Sequence, residues 1–150
     1  MSAAGSTGPL SGIRVVDAAT MIAGPYAATL MGDLGADVIK IESPAGDDMR
    51  RIGHERGGET GSYLGVNRNK RGIVLDLAQE PGRAVLGRLL AGTDVLITNV
   101  RQPALSKLGL SYEQASTVRG DIIWAGVSTF GPDGPYAGRP GVDALAQALC

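Results

Sequence analysis

Arg68, Lys70 and Arg71 are three of the 14 lysines and arginines in this 150-residue chain, and they crowd into the run Asn67-Arg68-Asn69-Lys70-Arg71. A chain of net charge -1 has no general reason to gather cations at the mouth of an apolar segment. The cluster therefore points to an anionic ligand, the alternatives being a solvated turn or cations that brace the run against neighbouring carboxylates or a partner chain. Polar groups able to meet a ligand recur where apolar runs stop, at Asp17, Glu42, Asp76, Asn99 and Ser128. Nucleophilic chemistry is poorly provided for. His54 is the only histidine, which argues against a multi-histidine metal site and would leave a Ser–His–Asp triad hanging on one loop residue. Cys150, the only cysteine, has no basic neighbour to activate it and reads as a small core residue. Asp143 opens a helix, where the dipole stabilises a carboxylate whether or not it has a role. Neither a Gly-x-Gly-x-x-Gly fingerprint nor a phosphate loop is present. Met21-Ile22-Ala23-Gly24-Pro25 does set free backbone N–H groups at a helix start, a weak phosphate seat.

The segments between these residues must position them. Gly12-Ile13-Arg14-Val15-Val16-Asp17 reads as a strand, β-branched and stopped by small residues. Pro25 stands where a helix would begin, with Ala27, Leu30, Met31 and Leu34 at helical spacing and Gly35 at the place of a left-handed cap. Val38-Ile39-Lys40-Ile41-Glu42 is a second strand, completing a βαβ unit whose strands must be parallel. Residues 43–63 read as a long irregular loop, with Asp47, Asp48, Arg50, Arg51 and Arg56 either solvated or functional. A strand is expected over 73–77. From Glu80-Pro81 a helix follows with Val85, Leu86, Leu89 and Leu90 inward and Arg83 and Arg88 facing water. Asp94-Val95-Leu96-Ile97-Thr98-Asn99 is a fourth strand, and a short helical turn surrounds Lys107. Ser111-x-x-Gln114 has capping-box spacing for a helix over 112–118. A fifth strand over 122–128, a Gly/Pro loop over 129–141 and a helix over 142–150 complete the chain. That last helix stops without a cap, which reads as a fragment of something longer. The alternation gives an α/β fold, an open, mostly parallel sheet wound with helices on both faces, whose ligands bind beyond the carboxyl ends of the strands.

Composition narrows the class. Apolar residues make up 43% of the chain and come in blocks, enough for one compact domain with a core. Near-neutral charge argues against nucleic acid as a partner. No run of about 18 apolar residues indicates a membrane span. A single cysteine fits a reducing cytoplasm. Residues 1–8, small and polar, read as a disordered leader and not an export signal.

Several runs carry a resemblance. They are Pro9-Leu10-Ser11-Gly12-Ile13-Arg14-Val15, Ala23-Gly24-Pro25, Asp33-Leu34-Gly35-Ala36-Asp37-Val38-Ile39-Lys40-Ile41-Glu42 and Asn67-Arg68-Asn69-Lys70-Arg71. Together they resemble the N-terminal half of the family III CoA-transferases, the CaiB/BaiF group that includes formyl-CoA transferase and α-methylacyl-CoA racemase. Asp94-Val95-Leu96-Ile97-x-Asn99, Leu108-Gly109-Leu110 and Gly131-x-x-Gly134-Pro135-Tyr136-x-x-Arg139-Pro140-Gly141-x-Asp143-x-x-x-Gln147-Ala148 extend the match in colinear order to the end of the chain. The resemblance implies a Rossmann-like large domain, of which residues 9–150 would be the N-terminal, CoA-binding part. It also implies a homodimer of interlocked rings. The activity implied is movement of CoA between an acyl-CoA thioester and a free carboxylic acid. An aspartate would attack the donor thioester to give a mixed anhydride, and returning CoA thiolate would give an aspartyl-CoA thioester. Coenzyme A is the implied cofactor, carried as acyl-CoA substrate, with no metal.

Carried over residue by residue, the implied CoA contacts are Ile22 and Ala23 in the first loop and Ser43 after the second strand. Leu75, Asp76, Leu77 and Ala78 follow at the third strand's end, then Asn99, Val100 and Arg101. Lys107 stands where formyl-CoA transferase has an arginine, and Arg139, Pro140, Gly141 and Val142 precede Asp143. Ile22 replaces a polar residue of formyl-CoA transferase, so the formate and oxalate substrate pair does not carry over. Val142 stands where the racemases have a catalytic histidine, and valine cannot move a proton, which disfavours the alternative of a racemase. The other alternative is a CoA- or nucleotide-binding fragment without chemistry. The resemblance places the nucleophilic aspartate beyond Cys150, so no residue of this chain is assigned a catalytic role. The chain alone is therefore expected not to transfer CoA. Robust turnover between an acyl-CoA and a free acid, with no other polypeptide present, would contradict that alignment.

Overall fold

The computed structural model describes residues 7–149. Residues 1–6 of the expected leader, and Cys150 with its expected place in a core, lie outside the described residues. In chain order the elements are β1 (Arg14–Asp17), α1 (Ala23–Asp33), β2 (Asp37–Glu42), β3 (Glu55–Arg56), β4 (Glu59–Thr60), α2 (Gly61–Asn67), β5 (Lys70–Val74), α3 (Glu80–Leu90), β6 (Val95–Thr98), α4 (Ala104–Lys107), α5 (Tyr112–Val118), β7 (Ile123–Gly126) and α6 (Asp143–Leu149). Five of the strands form one parallel sheet in the order β5-β2-β1-β6-β7, and β3 and β4 form a separate antiparallel hairpin. The main sheet grows outward from β1 through β2 to β5 and then returns to β6 on the other side. That reversal leaves a crevice beyond the carboxyl ends of β1 and β6, where ligands of open α/β sheets sit.

Strand alternation builds two cores. On one face Val15, Val38, Val95 and Ile97 pack with Ala28 of α1. On the other, Val16, Ile41 and Leu96 pack with Leu86 and Leu90 of α3, Leu105 of α4 and Ala115 of α5. The expected α/β sheet with helices on both faces is therefore what forms. β6 is buried along its whole length, as a central strand covered on both sides must be. Trp124 of β7 closes one side of the second core, its indole Nε1 donating to the Leu110 carbonyl at 2.9 Å.

Local signals hold at several helix ends. Gly35, at φ 102°, closes α1 in a Schellman motif. In that motif Gly35 N donates to Gly32 O and Ala36 N to Met31 O, each at 3.0 Å. Ser111 and Gln114 form the reciprocal capping box of α5.

Three expectations are corrected. Residues 43–63 are not a structureless loop: they fold into a 3₁₀ turn (Asp48–Arg51), the β3–β4 hairpin and the start of α2. Helix α2 contains two glycines and a β-branched valine, so propensity hides it, and the Thr60 hydroxyl caps it by accepting from Tyr63 N. The third strand of the main sheet runs over Lys70–Val74 and not 73–77, because Lys70 and Arg71 pair in register with Val38 and Ile39. Arg83 is only partly turned to water: its guanidinium folds back and donates to the carbonyls of Leu77 and Ala78 at 3.0 and 2.8 Å.

The β5–α3 connection is tight as well as gripped. A Cβ on Gly82, in the first turn of α3, would overlap the Asp76 carbonyl. Alanine gains about 1 kcal/mol over glycine in a helix, while forced overlap costs about 1–3 kcal/mol. Gly82→Ala is therefore expected to destabilise the chain, lowering the urea midpoint. A raised midpoint would show that the close approach is not constraining.

Candidate functional site

Two adjoining clefts open at the carboxyl ends of the strands. The first, about 240 Å³, is largely apolar, walled by Ile41, Leu75, Leu77, Val100, Leu108 and Leu110 with Ser43, Asp76 and Ala78 at its edge. The second, about 590 Å³, is bordered by Thr20, Asn99, Val100, Arg101 and Gly138. Thr20 and Val100 belong to both, so the β1–α1 loop and the end of β6 form the partition between them. An apolar cleft beside a wider, more polar one suits a ligand with an apolar part and a polar part.

The residues expected from the sequence divide accordingly. Ser43, Leu75, Asp76, Leu77, Ala78 and Val100 come together at the first cleft, and Asn99, Val100 and Arg101 at the second. Ile22 and Ala23 open α1 next to the shared wall, with Ile22 exposed. Lys107 ends α4 and is exposed, bordering neither cleft although Leu108 beside it borders the first. Arg139, Pro140, Gly141 and Val142 border neither cleft: Gly138 reaches the second, while the Arg139 guanidinium lies 4.5 Å over the Tyr136 ring. Asp143 accepts from Gln147 Nε2 at 2.6 Å within α6. The side chain of Asn99 is already engaged, accepting from Thr20 N at 3.0 Å and donating to Thr20 O at 2.9 Å.

The cation run that first suggested an anionic ligand is turned to internal pairing. Arg68 and Asn69 bind Asp33 at the end of α1, and Arg71 makes a forked pair with Asp37 at 2.7 Å. Both carboxylates lie at the amino end of β2, away from the clefts. Lys70 alone reaches the carboxyl side, its ammonium meeting Asp17 Oδ2 at 2.8 Å and three further acceptors from Pro25, Val66 and Asn67.

Lys40 is the residue that sequence reading passed over. It is 1% exposed, on the same face of the sheet as Asp17 and Glu42, and its ammonium meets Asp47 at 3.0 Å, Asp17 at 3.8 Å and the Ala19 carbonyl. The signal was present: parallel strands buried on both faces read as continuous apolar runs, and Lys40 and Glu42 interrupt one at alternate positions. Next to it Glu42 accepts from Arg50 at 2.7 and 2.8 Å, from Tyr63 OH at 2.6 Å and from Asp47 N at 3.0 Å. Arg50 also clamps Glu59 at 2.8 and 2.9 Å and donates to Tyr63 OH at 2.7 Å. Every buried side-chain nitrogen and oxygen among the described residues has a partner. The acidic end of β2, which in dinucleotide folds meets a ribose, borders the first cleft with its carboxylate already engaged by protein groups. Among the described residues no group of three or more His, Cys, Asp or Glu could hold a metal ion.

Comparison with known proteins adds to this geometry. The family model described as CoA-transferase family III matches residues 10–150. The chain is 44% identical over 146 residues to the succinyl-CoA–L-malate CoA-transferase beta subunit of Chloroflexus aurantiacus, covering 96% of this chain and 36% of that protein. It is 42% identical to the succinate–glutarate CoA-transferase of Agrobacterium fabrum, covering 94% of this chain and 37% of that protein. Among solved structures, a CaiB/BaiF family protein from Brucella suis superposes with a TM-score of 0.90 at 40% identity, covering 95% of this chain and 39% of that one. The chain thus spans a little over a third of the length of these relatives.

The Glu42 cluster makes stability depend on acid. The Arg50 guanidinium, with the Tyr63 hydroxyl and the Asp47 N–H, holds the Glu42 carboxyl at about 2 against an ordinary 4.5, although burial pushes the other way. A carboxyl whose value falls on folding stabilises the fold above its unfolded value and loses that contribution as pH drops toward its folded value. Urea stability of the wild type is therefore expected to fall between pH 4.5 and about 2, and Glu42→Gln to flatten that fall. Parallel acid profiles for the two proteins would show that Glu42 is not the titrating group.

Proposed function

Since this chain belongs to CoA-transferase family III, we propose that it supplies the CoA-binding part of an enzyme moving CoA between an acyl-CoA thioester and a free carboxylic acid. The observation that carries the reading is convergence. Ser43, Leu75 to Ala78 and Asn99 to Arg101, scattered over three strand ends, meet in two adjoining clefts of a chain that matches the family over residues 10–150. In this reading the apolar slot takes the adenine and the wider mouth takes the polar remainder of CoA, with Arg101 free to answer its negative charge. Lys107 and residues 139–142 reach CoA only if it extends past the clefts, along the exposed surface that they border. The nucleophilic aspartate, in a segment following Cys150, would attack the donor thioester carbonyl and expel CoA thiolate. The thiolate would then attack the aspartyl carbonyl of the mixed anhydride, releasing the donor's acid and leaving the aspartyl-CoA thioester for the acceptor.

The same reading makes the enzyme cytoplasmic and the assembled protein an interlocked homodimer. The single cysteine of this chain fits a reducing compartment, and among the described residues no helix is long and apolar enough to cross a membrane. Several relatives are named for succinyl-CoA, so a donor panel begins with that thioester. Val142 is 62% exposed and offers no proton, which leaves the racemase alternative without a supporting group.

Two measurements test the proposal. CoA titrated into the chain by calorimetry is expected to bind, and Arg101→Ala to weaken binding by about 1–2 kcal/mol, as loss of a charge-assisted contact does. Hydroxylamine added to the nucleophile-bearing polypeptide with succinyl-CoA is expected to convert one aspartate to a hydroxamate detectable by mass spectrometry. Absence of CoA binding, or turnover with no trapped aspartate, would count against it.

A further inference from the structure

The β1–α1 loop, residues 18–22, carries Thr20 into the wall common to both clefts, and the backbone of that loop is unfavourable. Met21 has φ 68°, the left-handed region where a non-glycine residue is disfavoured roughly tenfold. Its side chain does not explain this, being 38% exposed. The loop's main chain, in contrast, is gripped residue by residue. Asp17 Oδ1 accepts from Ala19 N at 3.0 Å, and Lys40 donates to the Ala19 carbonyl. Asn99 brackets both polar groups of Thr20. Asp47 Oδ1 accepts from Met21 N at 3.3 Å.

We propose that the buried Lys40–Asp47 pair is a positioning device for this loop. Lys40, carried on the rigid β2, orients the Asp47 carboxylate, and that carboxylate locks Met21 in its left-handed conformation. Both oxygens of Asp47 are committed: Oδ2 to Lys40 at 3.0 Å, Oδ1 to Met21 N and, at 3.0 Å, to Met49 N. Its side chain is fully covered, so although the residue borders the first cleft it acts through the loop and not on a ligand. Asp47 is aimed from its other side too, since its own N–H donates to Glu42 Oε2 at 3.0 Å. The pair therefore couples the Glu42–Arg50–Tyr63 cluster under residues 43–63 to the partition between the clefts. The consequence for binding rests on the CoA reading, whereas the hold on the loop does not.

Amide hydrogen exchange and CoA titration on the wild type, Asp47→Ala, Met21→Gly and the double variant test this. Asp47→Ala is expected to speed exchange at Ala19 and Met21 about tenfold more than at Val95–Thr98, the size of the left-handed penalty released, the amides of Val95–Thr98 reporting the general loss of stability that an unpaired Lys40 brings. It is also expected to weaken CoA binding about tenfold in the wild-type background. In the Met21→Gly background, where the left-handed turn carries no penalty, the loss is expected to shrink to about threefold or less. Exchange at Ala19 and Met21 that speeds no more than at Val95–Thr98, or equal losses of affinity in both backgrounds, overturns the proposal. If Asp47→Ala does not fold, the wild type decides: a Met21 amide exchanging at the unfolded rate overturns the proposal, and a protected one sustains it. A wild type that fails to bind CoA refutes the CoA reading, and the exchange measurements still judge the loop.

Discussion

Two ammoniums and two carboxylates alternate in space between the main sheet and the α1–α2 layer, as Lys70, Asp17, Lys40 and Asp47. All four side chains are covered to within 1%. Charges so buried are tolerable only as a balanced, hydrogen-bonded set, because removing one partner leaves an uncompensated ion at about 3–5 kcal/mol. Their geometry is therefore imposed on everything they touch. β1 and β2 supply one ion each at adjacent register positions, Asp17 opposite Lys40. α1 and α2 are tied to the set through the carbonyls of Pro25 and Val66, which accept from Lys70. The β1–α1 loop and the turn at Asp48–Arg51 hang from Asp47.

The two ends of the sheet are consequently very different. At the amino end Arg71, Asp37, Arg14, Asp94 and Arg119 form a ladder of exposed or half-exposed pairs. Each such pair contributes at most about 1 kcal/mol and is screened by salt. At the carboxyl end the ions are dry and mutually dependent, so that end is the stiff one. A ligand meeting the strand ends finds backbone and apolar walls already in place, which reduces the ordering that binding would otherwise require.

The strands β1, β2, β6 and β7 and the helices α1, α3 and α5 could be read from apolar periodicity and capping residues, because those signals are local. The clefts were legible for the same reason, since polar residues at strand ends mark where an open sheet binds. What escaped was set by distant partners. That Lys70 could brace a carboxylate was legible, but not which one, because its partner Asp17 lies 53 positions away. Arg68 and Asn69 answer Asp33, 35 and 36 positions away. Once those partners are known the run is structural, and β5 starts earlier because a lysine can run along a covered face when an aspartate waits at its tip. Helix α2 was hidden by its glycines and is held by tertiary bonds such as Thr29 Oγ1 to the Val66 carbonyl at 2.6 Å. Arg83 was assigned to water because its position in the helical stripe is polar, whereas its guanidinium turns back onto the loop that walls the first cleft.

The single tryptophan of the chain occupies an instructive place. Trp124 is hydrogen-bonded to the carbonyl of Leu110, whose side chain lines the apolar slot, and its ring lies so close over Gly126 that no larger residue fits beneath it. The indole is thus clamped from below and wired to one wall of the first cleft from its edge. Within this chain all tryptophan emission therefore comes from an indole bonded to the residue that lines the first cleft, so a change in that wall has an optical reporter built in.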